Sequence, residues 1–218
     1  MPTKLAILHT SPSLTPMFQS LCATWLPGVS VFHMVDESLI RNTVAAGRLE
    51  KLTMRRVIAM VDSAGLAGAD AVLVTCSSIG EAVTTAATLF DFPVIRVDDA
   101  MAEKAVGLGK RIGVLATLST TLEPTANLVR TKAEGTTVIE SLCEGAFEAV
   151  MEGDGATHDA IVSAALLKLM GQVDVVVLAQ ASMARVLGTM DSASLIVPVL
   201  SSPELAVQRV AEVLQARA

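Results

Sequence analysis

Of the side chains in this 218-residue chain that can attack carbon or move a proton, Cys76 holds the most informative position. It lies in Thr75-Cys76-Ser77-Ser78-Ile79-Gly80-Glu81, directly after an apolar run of buried-strand length and directly before helical spacing. The free N–H groups of a helix start lower a thiol's pKa and attract anions such as carboxylates. A cysteine there has the surroundings of a nucleophile or a general acid/base. The bland alternative is a small buried filler, which suits Cys22, inside an amphipathic helix, and Cys143, near a helix start. Ser78 and Glu81 form a capping-box pattern that would fix the helix start.

Two further turns carry hydroxyls at the end of an apolar run. His9-Thr10-Ser11-Pro12-Ser13 follows the first run and Ala116-Thr117-Leu118-Ser119-Thr120-Thr121 the fifth. Such residues cap helices or hold a ligand. With those flanking Cys76, the candidate substrate-binding residues are His9, Thr10, Ser11, Thr75, Ser77, Ser78, Thr117, Ser119 and Thr120. His33 and His158 have no neighbours suited to catalysis. Glu37 reads as a helix-start charge before it reads as a catalytic acid.

The elements that must position these turns are eight apolar runs: 4–9, 29–34, 70–75, 93–97, 111–116, 136–141, 174–179 and 195–200. Helical spacing fills 15–26, 37–46, 52–67, 79–89, 144–152, 159–170 and 204–216. Strands apolar on both faces that alternate with helices predict parallel sheets under helical cover. The chain also repeats itself. Lys4-Leu-Ala-Ile-Leu8 matches Arg111-Ile-Gly-Val-Leu115, and Pro93-Val-Ile95 matches Pro198-Val-Leu200. Gly68-Ala-Asp-Ala-Val-Leu-Val-Thr-Cys-Ser-Ser-Ile79 matches Gln172-Val-Asp-Val-Val-Val-Leu-Ala-Gln-Ala-Ser-Met183. Three anchors in the same order argue for a duplicated unit. That register sets Asp70 against Asp174, Ser78 against Ser182, and Cys76 against Gln180. The expectation is an α/β fold of two pseudo-symmetric domains, residues 1–98 plus 203–218 and residues 99–202. Each is a four-stranded parallel sheet flanked by helices, with the active site in the cleft between them, because open parallel sheets bind ligands at their carboxyl ends.

Composition narrows the partners. Hydrophobic residues make up 52% and charged residues 17%, with a net charge of −6, so no basic stripe is available for nucleic acid. No window supplies the roughly 18 uncharged apolar residues of a membrane span, and Met1–Leu8 is too short for a signal-peptide core. Three cysteines without paired spacing suit a reducing cytoplasm. The Gly107-Leu-Gly-Lys-Arg-Ile-Gly113 segment precedes a strand where a dinucleotide loop follows one, and the histidines are too scattered for a local metal motif.

The segments Thr75–Glu81, Arg111–Thr121 and Asp174–Met183 resemble the aspartate/glutamate/hydantoin racemase superfamily over essentially the whole chain. The resemblance implies a cofactor-independent, homo-oligomeric enzyme of two pseudo-symmetric α/β domains, with the last helix packed on the first, acting on a small carboxylate. In those racemases two cysteines face each other across the substrate. Cys76 fills the first position, and the second is Gln180, followed by Ala181 where threonine is usual, and by Ser182. Glutamine has no titratable proton, so two-thiol racemisation is not available to this chain. Cys76 with Gln180 as its partner position is therefore expected to act as a racemase- or isomerase-type site. A decarboxylase resembling the arylmalonate decarboxylases, with Cys76 as proton donor, is the alternative; a non-catalytic small-acid binding protein is the other.

Overall fold

A computed structural model describes residues 2–217. The chain divides into two compact units, residues 1–99 with 203–218, and residues 100–202.

The first unit runs β1 (Lys4–His9), α1 (Thr15–Trp25), β2 (Ser30–Val35), α2 (Glu37–Ala46), α3 (Lys51–Leu66), β3 (Ala71–Val74), α4 (Gly80–Ala86) and β4 (Val94–Arg96). The four strands form one all-parallel sheet in the order β2-β1-β3-β4. Alternation along β1 supplies both faces. Ala6 and Leu8 pack with Val57 and Val61 of α3 and with Ala82 and Val83 of α4. Leu5 and Ile7 pack on the other face with Phe18 and Cys22 of α1. Ala206, Val207 and Val210 complete that second cluster, so the final helix covers the first sheet. Burying each such Leu, Ile or Phe side chain contributes about 1.5–3 kcal/mol.

The second unit runs α5 (Asp99–Leu108), β5 (Arg111–Ala116), α6 (Ser119–Lys132), β6 (Thr137–Leu142), α7 (Ala146–Met151), α8 (Gly155–Met170), β7 (Val175–Leu178), α9 (Ala184–Leu187) and β8 (Val199–Ser201), before α10 (Ser202–Gln215). Its parallel sheet has the equivalent order, β6-β5-β7-β8. The matched aspartates do the same work in each unit. Asp70 accepts the Lys4 N–H at 2.8 Å, and Asp174 accepts the Arg111 N–H at 2.9 Å as well as its guanidinium at 2.8 Å. Each carboxylate thereby pins the start of its unit's first strand. Gly113 is a glycine for space, since a Cβ there would stand 2.8 Å from Leu169 Cδ2 on α8.

Three local expectations change. The run at 195–200 pairs only over Val199–Ser201, because Pro198 has no N–H for the ladder and Ile196 is exposed; Pro198 still accepts the Val176 N–H through its carbonyl. Helix α8 starts at Gly155, four residues earlier than the apolar spacing indicates, because the Asp154 carboxylate caps the Thr157 N–H. The start expected at Ser78 and Glu81 is displaced. Ser77–Ile79 make a 3₁₀ turn, α4 begins at Gly80, and neither start carries a side-chain cap.

Candidate functional site

Strand β3 is wholly buried, and its end delivers Thr75 and Cys76 to the carboxyl edge of the first sheet. Cys76 is extended (φ −124°, ψ 115°) and sits at the N-cap of the 3₁₀ turn, which sets its sulfur beside the N–H groups of that turn. The backbone N–H groups of Ser78 and Ile79 and the hydroxyls of Thr10 and Ser78 all donate to it. Burial is the largest influence and pushes the thiol pKa up; those four hydrogen bonds pull the other way. The residue keeps part of its surface exposed. Cys22 and Cys143 are buried, and burial pushes both thiols up to about 11.

His9, the last residue of β1, is 1% exposed and braces the neighbouring Thr75. The Thr75 hydroxyl donates to the Leu8 carbonyl at 3.1 Å, so at 2.9 Å it accepts from His9 Nδ1. A neutral His9 must then accept at Nε2, from His33 Nδ1 at 2.9 Å, and His33 Nε2 meets Gln19 Oε1 at 2.9 Å. Burial, then the charge of His33, holds His9 down to about 4, so it is neutral near pH 7. His33, without evident partners in the sequence, is thus the second member of the brace. His33 pairs in register with Ile7, and alternation along β1 puts Ile7 and His9 on one face, so the two imidazoles meet only once β1 and β2 are neighbours.

In the second unit Gln180 occupies the matching place, extended (φ −127°, ψ 137°) ahead of the Ala181–Met183 turn. Its side chain is locked on Thr117: the Thr117 N–H donates to Oε1 at 2.6 Å and Nε2 donates to the Thr117 hydroxyl at 2.7 Å. Thr10 and Thr117 are equivalent in the repeat, so the same threonine touches Cys76 in one unit and Gln180 in the other. Thr120 is buried and its hydroxyl has no partner, next to an α6 N-terminus without a side-chain cap. Ser119 and Ser182 are exposed and Ala181 is buried. Ser11 bonds Ser13 at 2.8 Å on the exposed side of its turn.

Each unit therefore gathers its own candidates: Thr10, Thr75, Ser77 and Ser78 at Cys76, and Thr117 at Gln180, with Thr120 three residues further along the chain. Glu37 opens α2 and pairs with Arg41 at 3.6 Å on the surface, which is the role of a helix-start charge. The Arg96–Asp98 pair beside α4 is absent from the sequence candidates; its signal is a charged pair at the end of an apolar strand. Among the described residues no group of three His, Cys, Asp or Glu side chains is placed to hold a metal ion, and no helix is long and apolar enough to cross a membrane.

A sequence model of the Asp/Glu/hydantoin racemase family matches residues 6–210. No curated protein matches the chain. Among solved structures, the fold is similar to a glutamate racemase isoform from Bacillus anthracis, with TM-score 0.76 and 18% identity over 99% of this chain and 83% of that one. It is also similar to allantoin racemase from Klebsiella pneumoniae, with TM-score 0.72 and 18% identity over 99% of this chain and 88% of the other. The Picrophilus torridus aspartate racemase gives TM-score 0.73 and 14% identity over 96% of this chain and 94% of that one. At these identities the likeness shows the fold alone.

Proposed function

The chain belongs to the Asp/Glu/hydantoin racemase family, and on that premise we propose that it is a cofactor-independent, racemase- or isomerase-type enzyme that moves a proton at the α-carbon of a small carboxylate with Cys76 as its one acid/base. The observation that carries this reading is the cradle at the Cys76 sulfur: two backbone N–H groups and two hydroxyls converge on it, and such donors stabilise a thiolate. In the forward step the thiolate takes the α-proton, giving Cys–SH and an enolate whose negative charge rests on the carboxylate oxygens. In the return step the planar intermediate turns its opposite face to the thiol, which gives a proton back to carbon with inversion and regenerates the thiolate; without that turn the cycle only exchanges the α-proton with solvent. Gln180 offers no second proton at accessible pH, so the reaction has a single thiol.

One observation favours a second reading. Burial raises the Cys76 thiol, so the resting group is a protonated donor. That state suits decarboxylation of a malonate-like acid, in which the C–C bond breaks, CO2 leaves, and the thiol protonates the resulting carbanion.

A panel of small amino acids, hydantoins, dicarboxylates and malonates incubated with the protein in D2O tests both readings. Deuterium at the α-carbon, a change in stereochemistry or double-bond geometry, or release of CO2 is expected with at least one member, and is lost in Cys76→Ser, whose hydroxyl is far less acidic. Full activity in Cys76→Ser would overturn the assignment. Protection of Cys76 from alkylation by a ligand that is never turned over would instead identify a binding protein.

A further inference from the structure

Arg96 ends β4, where it pairs in register with Val74, two residues ahead of Cys76. Asp98 is fully buried and the Arg96 side chain is 12% exposed. Arg96 Nε and Nη2 donate to the two carboxylate oxygens of Asp98 at 3.0 and 2.9 Å. The third nitrogen, Nη1, donates to the Thr84 hydroxyl at 3.2 Å, and that hydroxyl donates to the Gly80 carbonyl at 3.2 Å. The guanidinium also lies against the Gly80 backbone, since a Cβ there would stand 2.3 Å from Nη2 and 2.5 Å from Cζ. Gly80 has ordinary helical angles (φ −60°, ψ −32°), so glycine is required there for space. A lone cation at the positive end of a helix is unfavourable, and Asp98 offsets it. Helix α4 spans seven residues and its N-cap residue Ile79 makes no side-chain cap, so contacts from β4 bear directly on its start.

We propose that Arg96, held by Asp98, is a positioning residue for Cys76: by gripping Gly80 from its backbone face and through Thr84, it fixes the turn whose Ser78 and Ile79 N–H groups bond the Cys76 sulfur. This rests on Cys76 being the reactive group. Arg96 acts on the thiol through the turn, and touches no substrate in doing so. The buried pair also explains why the brace is arginine. A lysine satisfies the charge of Asp98 but lacks the flat, forked surface that spans Asp98, Thr84 and Gly80 together.

The test is the pH profile of Cys76 alkylation, read by mass spectrometry of the labelled peptide, in wild type and three variants. Arg96→Lys keeps the charge pair and loses the fork. Gly80→Ala pushes the guanidinium off the turn. The double variant Arg96→Met with Asp98→Leu removes both charges together, because a buried ion pair replaced by apolar residues is commonly tolerated while a single unpaired charge is not. The profile should move to higher pH in Gly80→Ala and in the double variant, with alkylation at pH 8 slower by about tenfold, the change in thiolate fraction for one unit of pKa. Arg96→Lys should fall between. A double variant that folds with the wild-type profile, or with one moved to lower pH, overturns the proposal. Wild-type Cys76 that fails to alkylate at any pH where the protein stays folded would overturn the reading of the thiol itself, and is a distinguishable outcome.

Discussion

The lock between Gln180 and Thr117 makes a sharp prediction about what this glutamine does for its unit. In Gln180→Leu the side chain keeps most of its bulk and loses both bonds, at 2.6 and 2.7 Å. Thr117 is 6% exposed, so its N–H has little access to water. An orphaned buried N–H costs roughly 1–3 kcal/mol and a lost neutral bond about 0.5–1.5 kcal/mol, which together give about 1.5–4.5 kcal/mol of destabilisation. For a chain of 150–250 residues this is a fall of roughly 3–18 °C in the thermal midpoint. Gln180→Glu separates the lock from mere bulk. At pH 7 a carboxylate accepts the Thr117 N–H as before and accepts the Thr117 hydroxyl proton in place of the lost donation, so most of the stability returns. Both bonds favour the charged form, so the folded pKa of the introduced carboxyl lies below its unfolded value. Its contribution is present above the unfolded pKa and is lost as pH falls through the folded one. Thermal and urea unfolding at pH 7 and pH 4 measure both variants. Gln180→Leu within about 0.5 kcal/mol of wild type, the range of ordinary surface substitutions, refutes the lock, as does Gln180→Glu no better than Gln180→Leu at pH 7.

Alkylation of the native protein at pH 8–9 should label one thiol, at Cys76, because it keeps part of its surface exposed while Cys22 and Cys143 are buried; peptide mapping that finds either of them labelled before unfolding contradicts this. His9 makes stability pH-dependent in a defined direction. Its folded pKa is about 4, below the ordinary histidine value of 6.5, so the unfolded chain binds the proton more readily between those values and stability falls as pH drops from 6.5 towards 4. In His9→Gln the urea midpoint should fall less steeply over that window, and an unchanged slope would place the titration elsewhere.

Much of the fold is legible because its strands are buried on both faces. A run such as Ala71–Val74 admits no amphipathic alternative, and the repeat of Asp70 at Asp174 supplies the register of the second unit from the first. The helices Asp99–Leu108 and Ser119–Lys132 are less legible. The latter opens on Ser119, Thr120 and Thr121 and contains Pro124, residues of low helix propensity that tertiary packing overrides. The strand end at Val199 is misjudged because Leu195, Ile196 and Val197 look like core while Ile196 faces water. At the site, the equivalence of Cys76 and Gln180, both extended ahead of a 3₁₀ turn, follows from the repeat. The brace from His33 through His9 to Thr75 does not, since it depends on β1 lying between β2 and β3. Nor does the grip of Arg96 on Gly80, which needs β4 beside β3 before the two residues meet.

The two strand-end turns share one scaffold and differ in polarity. Thr10 spends its hydroxyl proton on the Cys76 sulfur, so the first turn closes its hydrogen bonds around an atom that accepts. Thr117 receives a proton from Gln180 Nε2, and its own O–H stays free to donate. Gln180 Nε2 keeps a second N–H, and the buried Thr120 hydroxyl nearby in sequence has no acceptor. The second turn is therefore rich in neutral donors and contains no group that titrates near neutral pH. Glutamine in place of a thiol here does more than delete a base: it reverses the direction of the threonine's hydrogen bond. The single substitution Gln180→Cys would return a thiol and at the same time turn the Thr117 hydroxyl back towards sulfur, as in the first unit. It would also release the Thr117 N–H that Gln180 now occupies. The chemical difference between the two halves thus resides in one side chain and the threonine that follows its lead.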